Sequence, residues 1–273
     1  MFRERGIEIK TPEQIAKMRV AGLLVGETLD LLRGSARVGV TTGELDAIAE
    51  DHIRSRGGVP SFKGYAHPPF PGTICASVND EVVHGIPGER ALVEGDVISI
   101  DCGAIVDGWH GDAAITVAVG DVPDDVLELM RVTEESMWRG IAAARLGGRV
   151  GDISHAIESY VHGQGEYGIV EDFTGHGIGT EMHQPPNVPN YGRAGRGAKL
   201  VRGLALAVEP MVTLGSKDTE LLDDEWTVVT DDGSRSAHYE HTFTLTPRGA
   251  WILTALDGGE ARLAELGVPY GGA

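Results

Sequence analysis

Two aspartates in the segment 101–112 are spaced for metal chemistry. Between them, Asp107 and Gly108 stand between runs of β-forming residues, a pairing typical of a two-residue hairpin turn with positive φ at both positions. With the turn at these two residues, Asp101 and Asp112 become diagonal neighbours on one face of the hairpin, roughly 7–8 Å apart. Two divalent metal ions about 3.5–4 Å apart would fit between such carboxylates. From this segment alone, a hairpin with two solvated aspartates is the alternative.

Three histidines lie in turn-like segments rather than in helices. His176 stands in the segment 175–179, Gly-His-Gly-Ile-Gly, which is too rich in glycine for a helix interior. We expect its flanking glycines to let the backbone approach a ligand and to leave the imidazole free as a metal ligand. His183 precedes two prolines, and His84 follows an apolar pair before a turn. Each of the three could equally be a structural loop histidine.

Two glutamates occupy strand-like positions later in the chain. Glu209 follows the apolar run 204–208, and a buried carboxylate at a strand end is costly unless it is paired or bound to a cation. Glu240 lies in the β-forming run 237–245, where alternation places it on one face with Thr242. An ordinary solvated strand face is the alternative for Glu240.

Taken together, these residues form an oxygen-rich set of candidate metal ligands. Four carboxylates and one imidazole suit hard or borderline divalent ions such as Mn, Fe or Co better than a thiolate zinc site does. Two such ions can activate a shared water near neutral pH. The candidate ligands are Asp101, Asp112, His176, Glu209 and Glu240.

The composition narrows the class of protein. The 273 residues include 41 Asp and Glu against 23 Lys and Arg, a formal net charge of −18 that argues against a nucleic-acid partner. The two cysteines form no disulfide framework, which fits a reducing cytosol. The N-terminus lacks the apolar core of a signal peptide, and no apolar run approaches the roughly 20 residues of a membrane helix. We therefore expect a cytoplasmic protein without a membrane partner.

The helix pattern repeats in the two halves of the chain. Thr11 and Pro12 predict the start of one helix that ends near residue 34, and a second helix is predicted from about residue 42 to 57. A matching pair is predicted over 123–147 and 151–163. Order and spacing agree, so we predict an internal duplication, with pseudo-repeats at about 10–120 and 121–255 in a single domain spanning 1–273. Such a unit builds one antiparallel sheet with helices on its outer face.

Ordered motifs over about residues 10–255 resemble the type I methionine aminopeptidases of the M24 metallopeptidase family, in the short bacterial form. The motifs are Cys-Ala-Ser-Val-Asn at 75–79, His-Gly-Ile-Pro at 84–87, the hairpin at 101–112, Gly-His-Gly-Ile-Gly at 175–179, His183, Glu-Pro-Met at 209–211 and Tyr-Glu-His-Thr at 239–242. The resemblance implies an α/β fold of the α+β type, the pita-bread fold, around a dinuclear metal site. The implied cofactors are two divalent ions (Co, Mn, Fe or Zn), held by the five ligands named above.

The resemblance also implies roles and a substrate. The implied activity is removal of the initiator methionine from nascent proteins with a small second residue, by a monomer acting near the ribosome. Glu209 would move a proton from water to the leaving nitrogen, His183 would stabilise the oxyanion, and His84 would contact the amide nitrogen of the second residue. Candidates for the methionine pocket are Tyr65, Phe70, Cys75, Met182 and Trp226.

Two segments depart from the family pattern, and two other functions stay open. The loop 65–70 is longer than usual, and the segment 180–182 reads Thr-Glu-Met where Arg and Phe are common in the family. Both departures bear on the methionine pocket. The alternative functions are a proline-specific aminopeptidase of the same fold and a metal-free binding protein on that scaffold.

Overall fold

A computed structural model describes residues 6–272, which form five α-helices and fifteen β-strands. The helices are α1 (Pro12–Ser35), α2 (Thr42–Ser55), α3 (Asp124–Ala143), α4 (Val150–Gln164) and α5 (Glu260–Glu265). The first eight strands are β1 (Val59–Pro60), β2 (Ile74–Val78), β3 (Glu81–Val83), β4 (Val97–Val106), β5 (Trp109–Ala118), β6 (Gly168–Ile169), β7 (Gly175–Gly177) and β8 (Gln184–Val188). The others are β9 (Ala205–Val208), β10 (Met211–Thr213), β11 (Thr219–Leu221), β12 (Val228–Thr230), β13 (Ser236–His238), β14 (Glu240–Leu245) and β15 (Ala250–Ile252).

Capping residues start the helices where the sequence predicts them. The Thr11 side chain accepts the N–H of Gln14 while the Gln14 side chain accepts the N–H of Thr11, a reciprocal cap at the start of α1. Thr41 and Glu44 cap α2 in the same way. The second predicted pair is present as α3 and α4, whereas α5 was not anticipated. Within residues 6–272, none of the helices is both long and apolar enough to cross a membrane.

A nine-stranded antiparallel sheet forms the centre of the fold, in the order β1-β4-β5-β14-β9-β7-β8, with β2 beside β4 and β15 beside β14. The prediction of one sheet was incomplete, because two three-stranded sheets, β13-β10-β6 and β11-β12-β3, lie outside it. Pro210 explains why β10 belongs to the sheet β13-β10-β6 and not to the central sheet. It has no N–H to donate to a ladder, so the pairing of β9 ends at Val208 and the chain continues into a different sheet as β10. The fold class, mixed helices and antiparallel sheet, is as predicted.

Each half of the chain supplies its own hydrophobic core. One cluster of buried side chains runs from Leu24 to Val119 and another from Leu129 to Leu263. The halves meet at the middle of the central sheet, where Glu240 on β14 pairs with Ala114 on β5. The recurrence of a helix pair on each half agrees with the predicted duplication, and the assignment to one domain stays a prediction.

Candidate active site

Three carboxylates lie on neighbouring strands of the central sheet. The register of β4 and β5 places Asp101 opposite Ala114 and Gly103 opposite Asp112, as the hairpin turn predicted. The turn has positive φ at Asp107 (50°) and Gly108 (79°). Because Glu240 on β14 also pairs with Ala114, Asp101 and Glu240 flank that alanine from opposite sides. Asp112 lies two residues away on β5, so all three carboxylates reach the same cavity.

His176 joins the carboxylates from β7, a strand between β8 and β9. A Cβ atom on Gly175 would lie 2.4 Å from the Ala207 carbonyl, and one on Gly177 would lie 2.3 Å from the Pro185 carbonyl. The structure therefore gives these glycines a reason that the sequence did not suggest, because they permit close approach of neighbouring backbones. The expected approach to a ligand stays a prediction. The His176 ring is buried, with Nε2 3.9 Å from Asp112 Oδ2, and burial and the neighbouring His183 lower its pKa to about 3.

The tautomer of His176 suits a metal ligand. Its Nδ1 lies 3.0 Å from the Gly177 carbonyl, so Nδ1–H donates there and the Nε2 lone pair faces the carboxylates. Within the cluster, Nε2 lies 3.4 Å from Glu209 Oε1. Ligand atoms of Asp112, His176 and Glu240 all fall within 4.8 Å of one another, close enough to hold a common ion.

The carboxylates of this cluster carry unmet acceptor capacity. Asp101 Oδ1, Asp112 Oδ1 and Glu240 Oε1 are buried and have no hydrogen-bond partner among residues 6–272. Burial raises the pKa of all four carboxyl groups. Neighbouring negative charges raise these pKa values further. The charge of Glu240 acts on Asp112, the charge of Glu209 acts on Glu240, and the charge of Asp101 acts on Glu209. A group of carboxylates this close cannot ionise together unless cations offset the charge. The donor set therefore fits hard or borderline divalent metal ions.

A cavity of about 250 Å³ opens above this cluster and contains every sequence-predicted site residue. The lining residues are Phe62, Tyr65, Phe70, Cys75, Val83, His84, Asp101, Asp112, Asp172, Phe173, Thr174, His176, Met182, His183, Glu209, Trp226, His238 and Glu240. The volume is small compared with typical drug-sized pockets of about 300–1,000 Å³, so it suits an amino-acid side chain. The individual roles predicted for these residues stay predictions.

One wall of the cavity is apolar and buried. Phe70, Cys75 and Met182 form a packed cluster with Phe62, and Trp226 packs against it. The long loop 65–70 closes on itself through backbone hydrogen bonds, from Gly64 to the Phe70 carbonyl and from Phe70 to the Tyr65 carbonyl. This places Phe70 in the wall with 2% of its surface exposed, while Tyr65 stays at the edge.

Two histidines stand at the sides of the cavity. His183 is exposed at its mouth, where its ring lies 4.3 Å from that of His176 and its Nδ1 lies 2.6 Å from the Tyr65 hydroxyl. His84 has a left-handed φ of 59° and packs edge-on against Phe173 and Trp226. Burial, with a contribution from His183, lowers the pKa of His84 to about 4, so it is a neutral donor or acceptor near pH 7.

Sequence reasoning missed three cavity residues of interest. His238 is two residues before Glu240, and the alternation used for Glu240 would have placed both on the same face. Phe62 and Phe173 belong to loops without a periodic pattern, so only the tertiary structure reveals that they line the cavity.

Comparisons with known proteins agree with this site. The family model described as metallopeptidase family M24 matches residues 16–247. The methionine aminopeptidase of Clostridium acetobutylicum is 52% identical over 249 residues, 91% of this chain and 98% of that protein. The crystal structure of the Thermotoga maritima methionine aminopeptidase superposes with a TM-score of 0.88 at 42% identity, covering 91% of this chain and 99% of that chain.

A solved proline-specific enzyme is less similar. The prolidase of Pyrococcus furiosus superposes with a TM-score of 0.71 at 22% identity over 90% of this chain, but over only 65% of its own length. That likeness shows the fold alone. The family match and the much higher identity to methionine aminopeptidases decide the assignment. This chain belongs to metallopeptidase family M24 and, within it, to the methionine aminopeptidases.

Proposed function

We propose that this protein hydrolyses the first peptide bond of chains that begin with methionine, including nascent proteins whose second residue is small. The observation that carries the proposal is one cavity with carboxylates and an imidazole at its floor and an apolar wall beside them. Such a cavity brings a metal-binding cluster next to a subsite for one unbranched apolar side chain. We further propose that it acts as a cytoplasmic monomer close to the ribosome.

The metal centre would use the five predicted ligands. Asp101, Asp112 and Glu240 would help to hold both divalent ions, and His176 and Glu209 would hold one of them. The unmet oxygens and raised pKa values described above support this set. When bound, such ions polarise a carbonyl oxygen and lower the pKa of water toward neutrality. The addition of Co, Mn, Fe or Zn separately to metal-free protein tests which of these ions supports activity.

The apolar wall would hold the methionine side chain. Phe70, Cys75, Met182 and Trp226 present carbon and sulfur atoms, and Phe62 extends the same surface. A thioether contacts aromatic rings and sulfur favourably, by about 0.3–1.5 kcal/mol per sulfur–aromatic contact. Tyr65 lies at the rim, so its ring would cover the end of the subsite that faces solvent.

The polar side chains would handle the proton and the developing charge. Glu209 lies beside His176 at the cavity floor, where its carboxylate can take a proton from water and deliver it to the leaving nitrogen. The Tyr65 hydroxyl, by donating to Nδ1 of His183, would leave Nε2–H of that ring free to donate to the carbonyl oxygen as it becomes negative. His84 would contact the amide nitrogen of the second residue.

The position of His84 also bears on which second residues fit. Its ring is held between Phe173 and Trp226, with ring centroids 5.4 Å and 6.0 Å away. Three rings packed edge-on leave little space beside the scissile bond. We therefore propose that Gly, Ala and Ser are accepted at the second position and that large side chains are rejected.

The proposal is tested with three tripeptides and purified protein. Met-Ala-Ser should be cleaved after methionine only when Mn, Fe, Co or Zn is added to metal-free protein. Ala-Ala-Ser probes the methionine wall and Ala-Pro-Ala probes the proline-specific alternative, and both should be poor substrates. Preferred cleavage of Ala-Pro-Ala would replace the proposal with a proline-specific one. Cleavage of none of the peptides, together with an absence of bound metal, would favour the metal-free binding protein.

A further inference from the structure

His238 is a buried histidine at the floor of the cavity with no role assigned to it above. Its side chain is 2% exposed, and its Nε2 has no hydrogen-bond partner among residues 6–272. The nearest charged atom is Oε2 of Glu209, 3.8 Å away. A buried nitrogen without a hydrogen-bond partner lowers the stability of the folded protein, so we expect this nitrogen to interact with the one carboxylate that it faces.

The backbone fixes where the His238 ring lies. β13 pairs with β10 so that His238 stands opposite Met211, two residues after Glu209. The Thr116 hydroxyl accepts the His238 N–H at 2.9 Å and donates to the His238 carbonyl at 2.8 Å. Because the backbone is held at both its N–H and its carbonyl and the side chain is buried, the ring has little freedom to turn away from Glu209.

Glu209 lies between two imidazoles that present different groups to it. On one side Oε1 is 3.4 Å from Nε2 of His176, which faces the cluster as a lone pair because Nδ1 donates to Gly177. On the other side Oε2 faces Nε2 of His238. A lone pair on that nitrogen would repel the carboxylate, whereas an N–H attracts it. A charge-assisted bond of about 2.7–2.9 Å requires a shift of only about 1 Å.

We propose that His238 is a positioning residue for Glu209. Its Nε2–H holds Oε2, so that Oε1 stays directed at His176 and the other ligands. The inference rests on the proposed function, in which Glu209 both binds metal and moves the proton. Residues that orient a metal ligand typically change metal affinity or activity by about 10–100-fold when they are replaced.

Three substitutions at position 238 test whether Glu209 needs the N–H donor of His238 or only the bulk of its ring. His238→Gln keeps an N–H at about the reach of Nε2, His238→Asn is a similar amide that is one methylene shorter, and His238→Leu removes the donor. Activity on Met-Ala-Ser and metal affinity by titration calorimetry are measured for each, with circular dichroism to check the fold and metal analysis to count bound ions.

We expect His238→Asn and His238→Leu to lower kcat by about 10–100-fold and to weaken metal binding by about tenfold, with KM little changed. His238→Gln should keep both values near those of the wild type, and the number of bound ions should stay the same in all three variants. If His238→Leu does not fold, the comparison of His238→Gln with His238→Asn decides. Wild-type values for His238→Leu, or equal losses in His238→Gln and His238→Leu, would overturn the positioning role. The loss of a bound ion would also overturn it, by making His238 a ligand. Failure of the wild type to cleave Met-Ala-Ser would refute the proposed function instead, and the metal affinities would still test His238.

Discussion

The two candidate ligands from the first half of the chain come from one continuous hairpin, whereas the candidate ligands from the second half come from three separate segments. Asp101 and Asp112 are fixed by a two-residue turn and by ten residue pairs between β4 and β5. His176, Glu209 and Glu240 stand on β7, just after β9 and on β14, which meet only in the folded protein. Local geometry therefore sets one side of the site and long-range packing sets the other.

The loop after His176 in the second half is held by the segment before α1. Lys10 of that segment donates to the Ile178 carbonyl, two residues after His176, and to the Glu8 carbonyl. Glu8 in turn accepts from Thr180 and Gln184, on either side of Met182 and His183. Substitutions of the hairpin carboxylates should lower activity by removing candidate metal ligands. Substitutions of the supporting residues in the second half should lower activity by displacing its loops.

The largest effect is expected at the hairpin, from Asp112→Asn. We propose that Asp112 helps to hold both ions, and an amide cannot replace its charge, so turnover of Met-Ala-Ser should fall below detection even at saturating metal. The matched control is Asp107→Asn in the exposed turn of the same hairpin, where the left-handed φ of 50° suits asparagine and activity should be unchanged.

The Asp112→Asn variant also tests whether the buried carboxylates repel one another in the metal-free protein. In metal-free protein, burial and the charge of Glu240 raise the pKa of Asp112, so keeping this carboxyl group ionised lowers the free energy of unfolding. Asn removes that charge, and thermal melting of the metal-free variant should therefore be no lower than that of the wild type. Near-normal activity of Asp112→Asn would refute a metal centre that depends on the hairpin.

A smaller effect is expected from His183→Ala on the second-half loop. The loss of one donor to the developing oxyanion should lower kcat by about 10²–10³-fold. Metal content should not change, because His183 is proposed to bind substrate rather than metal. His155→Ala, at an exposed position on α4, is the control and should behave as wild type. A loss of bound metal in His183→Ala would instead make His183 a ligand.

The second residue of the substrate tests the aromatic side of the cavity. A single methylene is usually worth about 1–3 kcal/mol in a fitted pocket, and leucine adds three carbons to alanine beside His84 and Trp226. We expect kcat/KM for Met-Leu-Ser to be lower than for Met-Ala-Ser by at least about tenfold. Comparable values for the two peptides would show that the loop 65–70 or the ring of Phe173 leaves a wider entrance than proposed.

The smallest effect on activity is expected from Lys10→Met, which removes the tie to the loop after His176. Lost hydrogen bonds should reduce the free energy of unfolding by about 1–3 kcal/mol, because the buried Ile178 carbonyl is left without its donor. The kcat on Met-Ala-Ser should fall modestly, through displacement of His183. Lys17→Met, exposed on α1, is the matched control. Urea unfolding and steady-state kinetics measure both.

Lys10 also gives a pH signature. Burial lowers its pKa from 10.5 to about 8 in the folded protein. Between these values the unfolded chain holds more protons than the folded one, so the stability of the wild type should rise with pH, by at most about 1.4 kcal/mol per unit. The rise should be missing in Lys10→Met. An identical pH dependence of urea unfolding in both proteins would show that Lys10 is not desolvated as described.

Residues that depend on local pattern were predicted from the sequence, and residues that depend on contacts between distant segments were not. The turn at Asp107 and Gly108, the threonine caps and the five candidate ligands follow from short-range rules and from the family resemblance. His238 was missed because alternation along the strand predicts that it shares a face with Glu240 but does not predict that its ring faces Glu209. The glycines beside His176 were noticed, but the carbonyls of Ala207 and Pro185 that crowd them come from other segments of the chain.

The sequence by itself determined the helix pairs, the hairpin register and the residue types that can bind metal, because turn geometry and side-chain periodicity act over a few neighbouring residues. Only the tertiary structure decided that Glu209 lies between His176 and His238, that Phe62 joins the apolar wall and that Pro210 sends the chain into a second sheet. Those arrangements depend on which strands and loops meet across tens of residues of sequence or more. That choice is made by burial and backbone hydrogen bonding of the whole chain, which no short segment encodes.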